Sequence, residues 1–190
     1  MCGDAAREES IALLELFLKD VTQMPQGDLE LDKAKFCQNL KSKKPSSCSA
    51  SNPPSVPGFD PSWEPNGCGT GGLANWIADK ILSSAYTDSY SGEINAPFAG
   101  VSFLAACNAH DRCWGLAADK DQCDLAFRQT MDAACSGLST TSGINNCLGF
   151  SGIYHGAVTS DLGNSNYEDS VSDFNCAAWA ADMEENGCQS

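Results

Sequence analysis

The chain has 190 residues, enough for one domain with an arm, and carries eleven cysteines and 25 acidic against 11 basic residues, a net charge of −14. That cysteine density points to a disulfide framework made in an oxidising compartment, and no apolar run approaches the roughly 18 residues of a membrane span. The acidic excess argues against nucleic acid as a partner, because phosphates need a basic surface, and against unaided attraction to an anionic membrane.

Residues 4–24 read as an amphipathic helix, with Ile11, Leu14, Leu18 and Val21 on one stripe and Asp4, Glu8 and Glu9 near its start, where the helix dipole favours anions. Pro25 and Gly27 are expected to end it. The start lacks the basic and apolar regions of a signal peptide, so Met1 reads as an artificial start or a processed end. Residues 41–66 contain six prolines and read as extended coil, tied back through Cys48. A short helix is expected over 73–85, then a loop over 86–100. Stronger helical stretches cover 103–118 and 121–136, and further helices fall within 144–162 and 167–185. Strand signals are weak, so the expected fold class is mainly α.

The stretch CNAHDRCWG, residues 107–115, holds one of the two histidines. On a helix, Cys107, His110, Asp111 and Trp114 share one arc. The next helix carries Cys123 beside Asp124. If Cys113 pairs with Cys123, the two helices form an antiparallel hairpin. His110 then faces the neighbourhood of Ala126, with Asp124 half a turn away. An imidazole on one helix could so reach a carboxylate on the other, the arrangement that sets a histidine tautomer and stabilises its protonated form.

PNGCGTGG, residues 65–72, matches G-x-G-x-x-G, but proline-rich coil rather than a strand precedes it, which removes the dinucleotide reading. Glycines also let a turn direct carbonyls inward, and carbonyls with one carboxylate make a hard-oxygen site suited to Ca²⁺. If Cys68 pairs with Cys107, this loop lies one turn from Asp111, which would supply that carboxylate. The alternative is a plain surface turn. The cysteine spacings do not match common zinc patterns, residues 119–124 lack the rest of an EF-hand, and no G-x-S-x-G occurs. His155 reads as an exposed helical residue.

The ordered motifs NGCG, CNAHDRC and CDLAF resemble the secreted phospholipase A2 family, most of all its group XII branch, over about residues 66–135. The resemblance implies a disulfide-linked helix pair with a glycine-rich calcium loop. His110 matches the catalytic histidine and Asp124 the carboxylate that orients it. Asp111 matches the calcium-binding aspartate, and Gly67, Gly69 and Gly71 the loop positions whose carbonyls hold calcium. Cys68–Cys107 and Cys113–Cys123 match two family disulfides. Trp114 stands where a tyrosine usually hydrogen-bonds the orienting aspartate; Tyr154 is a candidate to supply that hydroxyl instead.

The expected organisation is an N-terminal helix and Pro/Ser-rich arm over 1–65 and a phospholipase A2-like catalytic domain over 66–190. The expected function is Ca²⁺-dependent hydrolysis of the sn-2 ester of glycerophospholipids at a membrane or micelle surface, by a secreted protein. A catalytically silent binding module and a purely structural disulfide domain are the alternatives. Of the remaining cysteines, 37–48, 135–147 and 176–188 close the shortest loops. Cys2 is left over, available for pairing between chains or for modification of a processed terminus.

Overall fold

The computed structural model describes residues 26–46, 48, 53–69, 72–98 and 100–188. The helix expected over 4–24 and Cys2 lie outside the described residues. Six α-helices and no strand occur among those described: α1 (Gln26–Ser42), α2 (Gly72–Leu82), α3 (Leu104–Gly115), α4 (Lys120–Ser136), α5 (Thr141–Val158) and α6 (Asp161–Glu185). The segment expected as a loop, 86–100, holds one 3₁₀ turn, Thr87–Ser89, and isolated bridges from Phe98 to Tyr90 and to Val101. The mainly α class therefore holds. No helix among the described residues is long and apolar enough to cross a membrane.

The chain divides into two compact units, residues 1–44 with 183–190, and residues 45–182. In the first, α1 starts at Gln26 and runs through Gly27, which was expected to end a helix; it covers residues 28–40, for which no element was expected, and reaches the first two residues of the expected coil. From Asp32 to Ser42 almost every side chain is exposed, Phe36 included. Such a helix has no apolar stripe to detect. It is anchored by Cys37–Cys188.

That bridge corrects two expected pairings. Cys37 does not pair with Cys48, nor Cys176 with Cys188; the bonds are Cys37–Cys188 and Cys48–Cys176. Cys176 lies inside α6, which continues to Glu185 and so carries the chain roughly 14 Å onward at the helical rise. That exceeds disulfide reach, and short sequence separation does not help when the intervening chain is rigid. Cys68–Cys107, Cys113–Cys123 and Cys135–Cys147 are present as expected.

The core of the second unit is built on α4, which packs against both α3 and α5, while α2 packs against α5. Ile81, Phe103, Met131, Phe150 and Tyr154 are almost wholly buried in it. Burial of each such side chain contributes about 1.5–3 kcal/mol. Phe103 meets Tyr154 edge to face at 5.3 Å, a favoured aromatic geometry. Asp119 caps α4 by accepting the Gln122 N–H at 2.9 Å, and Thr140 caps α5 by accepting the Gly143 N–H at 3.1 Å.

The end of α3 is less usual. Ala118 N–H bonds the Cys113 carbonyl and Ala117 N–H the Trp114 carbonyl, with Ala117 at φ 51°. This is a Schellman motif with alanine in the left-handed position where glycine is expected. It ends the helix three residues before the boundary expected at 118 and turns the chain straight into α4. Removing the bridge across this turn, with Cys113→Ala and Cys123→Ala together, is expected to cost about 2–3 kcal/mol, since the closed loop is short. Chemical unfolding reads the loss; an unchanged midpoint would show that the hairpin stands without its bridge.

Candidate functional site

The α3–α4 hairpin brings His110 and Asp124 together. Asp124 Oδ1 lies 2.8 Å from His110 Nε2, and both residues are buried. A carboxylate can only accept, so Nε2 carries the proton and Nδ1 is left as the basic nitrogen. The imidazole packs against Trp114 and Phe127, with ring centroids 4.3 and 4.6 Å away. These contacts restrict its rotation.

Asp124 has two further donors. The Trp114 indole N–H donates to Oδ1 at 3.2 Å, so the tryptophan fills the donor role itself. Tyr154 does not; its hydroxyl donates to the Ile94 carbonyl. The other oxygen of Asp124 takes the Lys120 ammonium at 2.6 Å, and the same ammonium donates to the Val158 carbonyl at 2.8 Å. Lys120 was not singled out in the sequence, although a lysine one helical turn before an aspartate is a readable signal for an ion pair.

The electrostatics follow from burial and these bonds. Burial is the largest influence on His110 and holds its conjugate acid below the ordinary 6.5, against the upward pull of Asp124. For Asp124 burial pulls upward, but the hydrogen bonds from His110 and Lys120 outweigh it and hold the carboxyl below its ordinary value. The pair therefore rests as neutral imidazole and carboxylate near neutral pH, the form required of a general base.

The glycine turn stands on the same side of α3, tied to it by Cys68–Cys107. Gly67 and Gly69 adopt φ of 78° and 90°, conformations that glycine enters without strain. Gly71 lies outside the described residues. A Cβ on Gly67 would sit 2.8 Å from the Asn95 side-chain oxygen. That same oxygen accepts the Cys68 N–H at 2.9 Å. Asn95 thus braces the turn from within the long segment before α3, a role no local motif announces. Asp111 accepts the Asn66 N–H at 3.1 Å.

The Asp111 carboxyl is pushed up to about 6, chiefly by burial, with the Asn66 and Gly67 N–H groups pulling the other way. No lysine, arginine or histidine pairs with it among the described residues. No group of three or more His, Cys, Asp or Glu side chains there is placed to hold a metal. A cation at Asp111 would therefore rely on this one carboxylate and on backbone oxygens of the turn. Such an all-oxygen donor set fits a hard cation such as Ca²⁺ and is unsuited to zinc.

A cavity of about 170 Å³ joins these parts. His110, Asp111, Gly67 and Gly69 line one side, Leu73, Ile77 and Phe127 supply apolar wall, and Asn166 and Ser170 of α6 close it. The last two fall outside every motif read from the sequence. His155, on α5, is not among the lining residues. No family model, no curated protein and no solved structure matches this chain.

Proposed function

We propose that this chain is a calcium-dependent phospholipase A2, hydrolysing the sn-2 acyl ester of glycerophospholipids to fatty acid and lysophospholipid at a membrane or micelle surface. The observation that carries this reading is the buried His110–Asp124 contact, with His110 lining a cavity shared with Asp111 and the glycine turn. The five disulfides support an oxidising compartment, and secretion is part of the proposal.

Asp124 and Trp114 hold the imidazole in place, and Asp124 keeps the proton on Nε2. Nδ1 then accepts a proton from a water molecule as the water oxygen bonds to the ester carbonyl carbon. When the tetrahedral species collapses, the bond from that carbon to the glycerol oxygen breaks. The proton held by His110 passes to the departing oxygen, so no covalent enzyme intermediate is required. The Gly69 N–H is assigned as a donor to the developing oxyanion. Calcium held by Asp111 and by the carbonyls of Gly67, Gly69 and Gly71 would supply Lewis-acid polarisation of the ester carbonyl.

The deciding experiment is fatty-acid release from phospholipid vesicles, with calcium and with chelator. Release only with calcium supports the proposal. Vesicle binding without release would favour the silent binding module, and neither would leave a structural domain.

Two further results are expected. Asp111→Asn removes the only carboxylate of the proposed calcium site and should weaken calcium binding by roughly tenfold or more, with activity falling alongside. An unchanged calcium titration would remove Asp111 from the site. The pH profile should also be shifted. His110 is held below 6.5 by burial, so its base form persists to lower pH than free imidazole. At saturating calcium the acid limb of the rate should therefore lie below pH 6.5. At low calcium the limb should move up, because protons compete for the Asp111 carboxyl that burial holds at about 6. A limb that ignores calcium concentration would contradict the assignment.

A further inference from the structure

Lys120 does not line the cavity that holds His110, yet its ammonium is surrounded by groups of that site. It donates to Asp124 Oδ2 at 2.6 Å and to the Val158 carbonyl at 2.8 Å. It also faces the Trp114 ring, 5.3 Å from the centroid. Trp114 and Val158 are themselves walls of the cavity.

Local structure alone disfavours this placement. Lys120 is the first residue of α4, directly after the Asp119 cap, where the helix dipole opposes a cation. Its side chain is mostly buried, which strips the charge of hydration. Both costs are offset by Asp124 and by the Val158 carbonyl at the last residue of α5, an end where the dipole favours a cation. The turn that delivers Lys120 is braced by Tyr167 of α6. Its hydroxyl donates to the Ala118 carbonyl at 2.7 Å, and its ring meets Trp114 edge-on at 5.8 Å.

The two oxygens of an aspartate are chemically equivalent, and the torsion that exchanges them is soft. Here they are told apart by their donors. Oδ1 accepts from His110 Nε2 and from the Trp114 indole. Among the described residues only Lys120 bonds Oδ2. Its separate anchor on Val158 keeps Oδ2 turned away from the imidazole and sets the plane in which Oδ1 meets Nε2. We infer that Lys120 is a positioning residue for the proposed general base: it fixes the rotation of the Asp124 carboxylate and, through it, the orientation and tautomer of His110. The part in catalysis rests on the function proposed above. The hold on the imidazole does not.

That hold can be read without turnover, by nitrogen and proton NMR of the full chain on the alkaline side of the His110 titration. The wild-type protein should show the Nε2–H tautomer, with that proton hydrogen-bonded and slow to exchange with water. Lys120→Met keeps the length and removes the donor. It should give a mixture of tautomers and lose the slow proton. Lys120→Arg, whose fork can reach both acceptors, should restore the wild-type spectrum. Circular dichroism checks that each variant is folded. Should Lys120→Met unfold, Lys120→Gln carries the comparison, because a neutral, shorter donor cannot hold both acceptors and should show the same change to a smaller degree. A lysine that only stabilises the fold would leave the tautomer unaltered in a folded variant. An unaltered His110 spectrum in a folded neutral variant, or no restoration by arginine, would overturn the inference.

A second measurement addresses the reaction. With a monomeric short-chain phospholipid, saturating calcium and pH on the alkaline plateau of the rate, Lys120→Met should lower kcat roughly 10- to 100-fold and leave KM unchanged, as expected when a reacting group is misplaced rather than substrate binding lost. Lys120→Arg should recover most of the loss. Unchanged kcat, or a change confined to KM, would overturn the catalytic part. A wild-type chain that releases no fatty acid, while its His110 tautomer still responds to Lys120→Met, would instead sink the proposed reaction and leave the hold on the imidazole standing.

Discussion

Replacing His110 by glutamine is expected to lower fatty-acid release by roughly 10²–10⁴-fold, the usual worth of a positioned general base. Glutamine preserves much of the size and can still donate to Asp124 from its amide nitrogen, so the buried carboxylate keeps a partner. What is lost is a basic nitrogen. The hydrogen bond from Nε2 to Asp124 leaves Nδ1 as the single basic position of that ring. Calcium binding should be unaffected, since the proposed cation site uses Asp111 and backbone oxygens. The comparison requires kcat with and without the substitution, beside a calcium titration of both proteins. Retention of more than a tenth of wild-type kcat would falsify the assignment of His110 as base.

Asp124→Ala should have the largest effect on stability, about 3–5 kcal/mol, because it removes one partner from a buried set of charged and polar groups and leaves the others unpaired. Asp124 is 3% exposed and holds His110, the Trp114 indole and the Lys120 ammonium. The Lys120 side chain is 16% exposed, so its charge would be left largely desolvated, with the Val158 carbonyl and the Trp114 ring face, 5.3 Å away, as its remaining partners. Asp124→Asn should be milder, since the amide oxygen can still accept from His110. Pairing Asp124→Ala with Lys120→Met should recover part of the loss by removing the stranded charge. If that double variant is no more stable than Asp124→Ala alone, Lys120 does not stabilise the fold through this aspartate.

The same aspartate links stability to pH. Its carboxyl is held below the ordinary 3.8 by the bonds from His110 and Lys120, against the upward pull of burial. A depressed carboxyl contributes stability that is fully present above its unfolded value and is lost as pH falls through the folded one. Acid unfolding of the wild-type chain should therefore contain a component below pH 3.8 that Asp124→Asn lacks.

Much of the hairpin was legible from local pattern. Residues three and four apart share a helical face whatever the rest of the chain does. Hence Cys107, His110, Asp111 and Trp114 could be placed on one arc, and the Cys113–Cys123 bridge then brings His110 against Asp124, where the structure has them at 2.8 Å. The mainly α class and most helix positions were legible for the same reason, because apolar periodicity reports a buried face directly. Where a helix buries little, as α1 does between Asp32 and Ser42, the periodic signal is absent and the element was missed. Ala117 hid the end of α3, since an alanine at positive φ gives no warning of the turn it makes.

Tertiary packing decided everything that joins distant segments. Loop length favoured 37–48 and 176–188, yet the rigidity of α6 kept Cys176 from Cys188 and left each to a remote partner. Asn95 braces Gly67 and Cys68 from 27 residues away in sequence from the latter. Lys120 reaches Asp124 and the Val158 carbonyl together. The cavity that unites the glycine turn, α3 and α6 exists only once those segments are packed. Spacing along one helix is a property of the backbone and can be read residue by residue. The partner that a given face meets is set by competition among all apolar surfaces for the same core, and no short stretch of sequence carries that information.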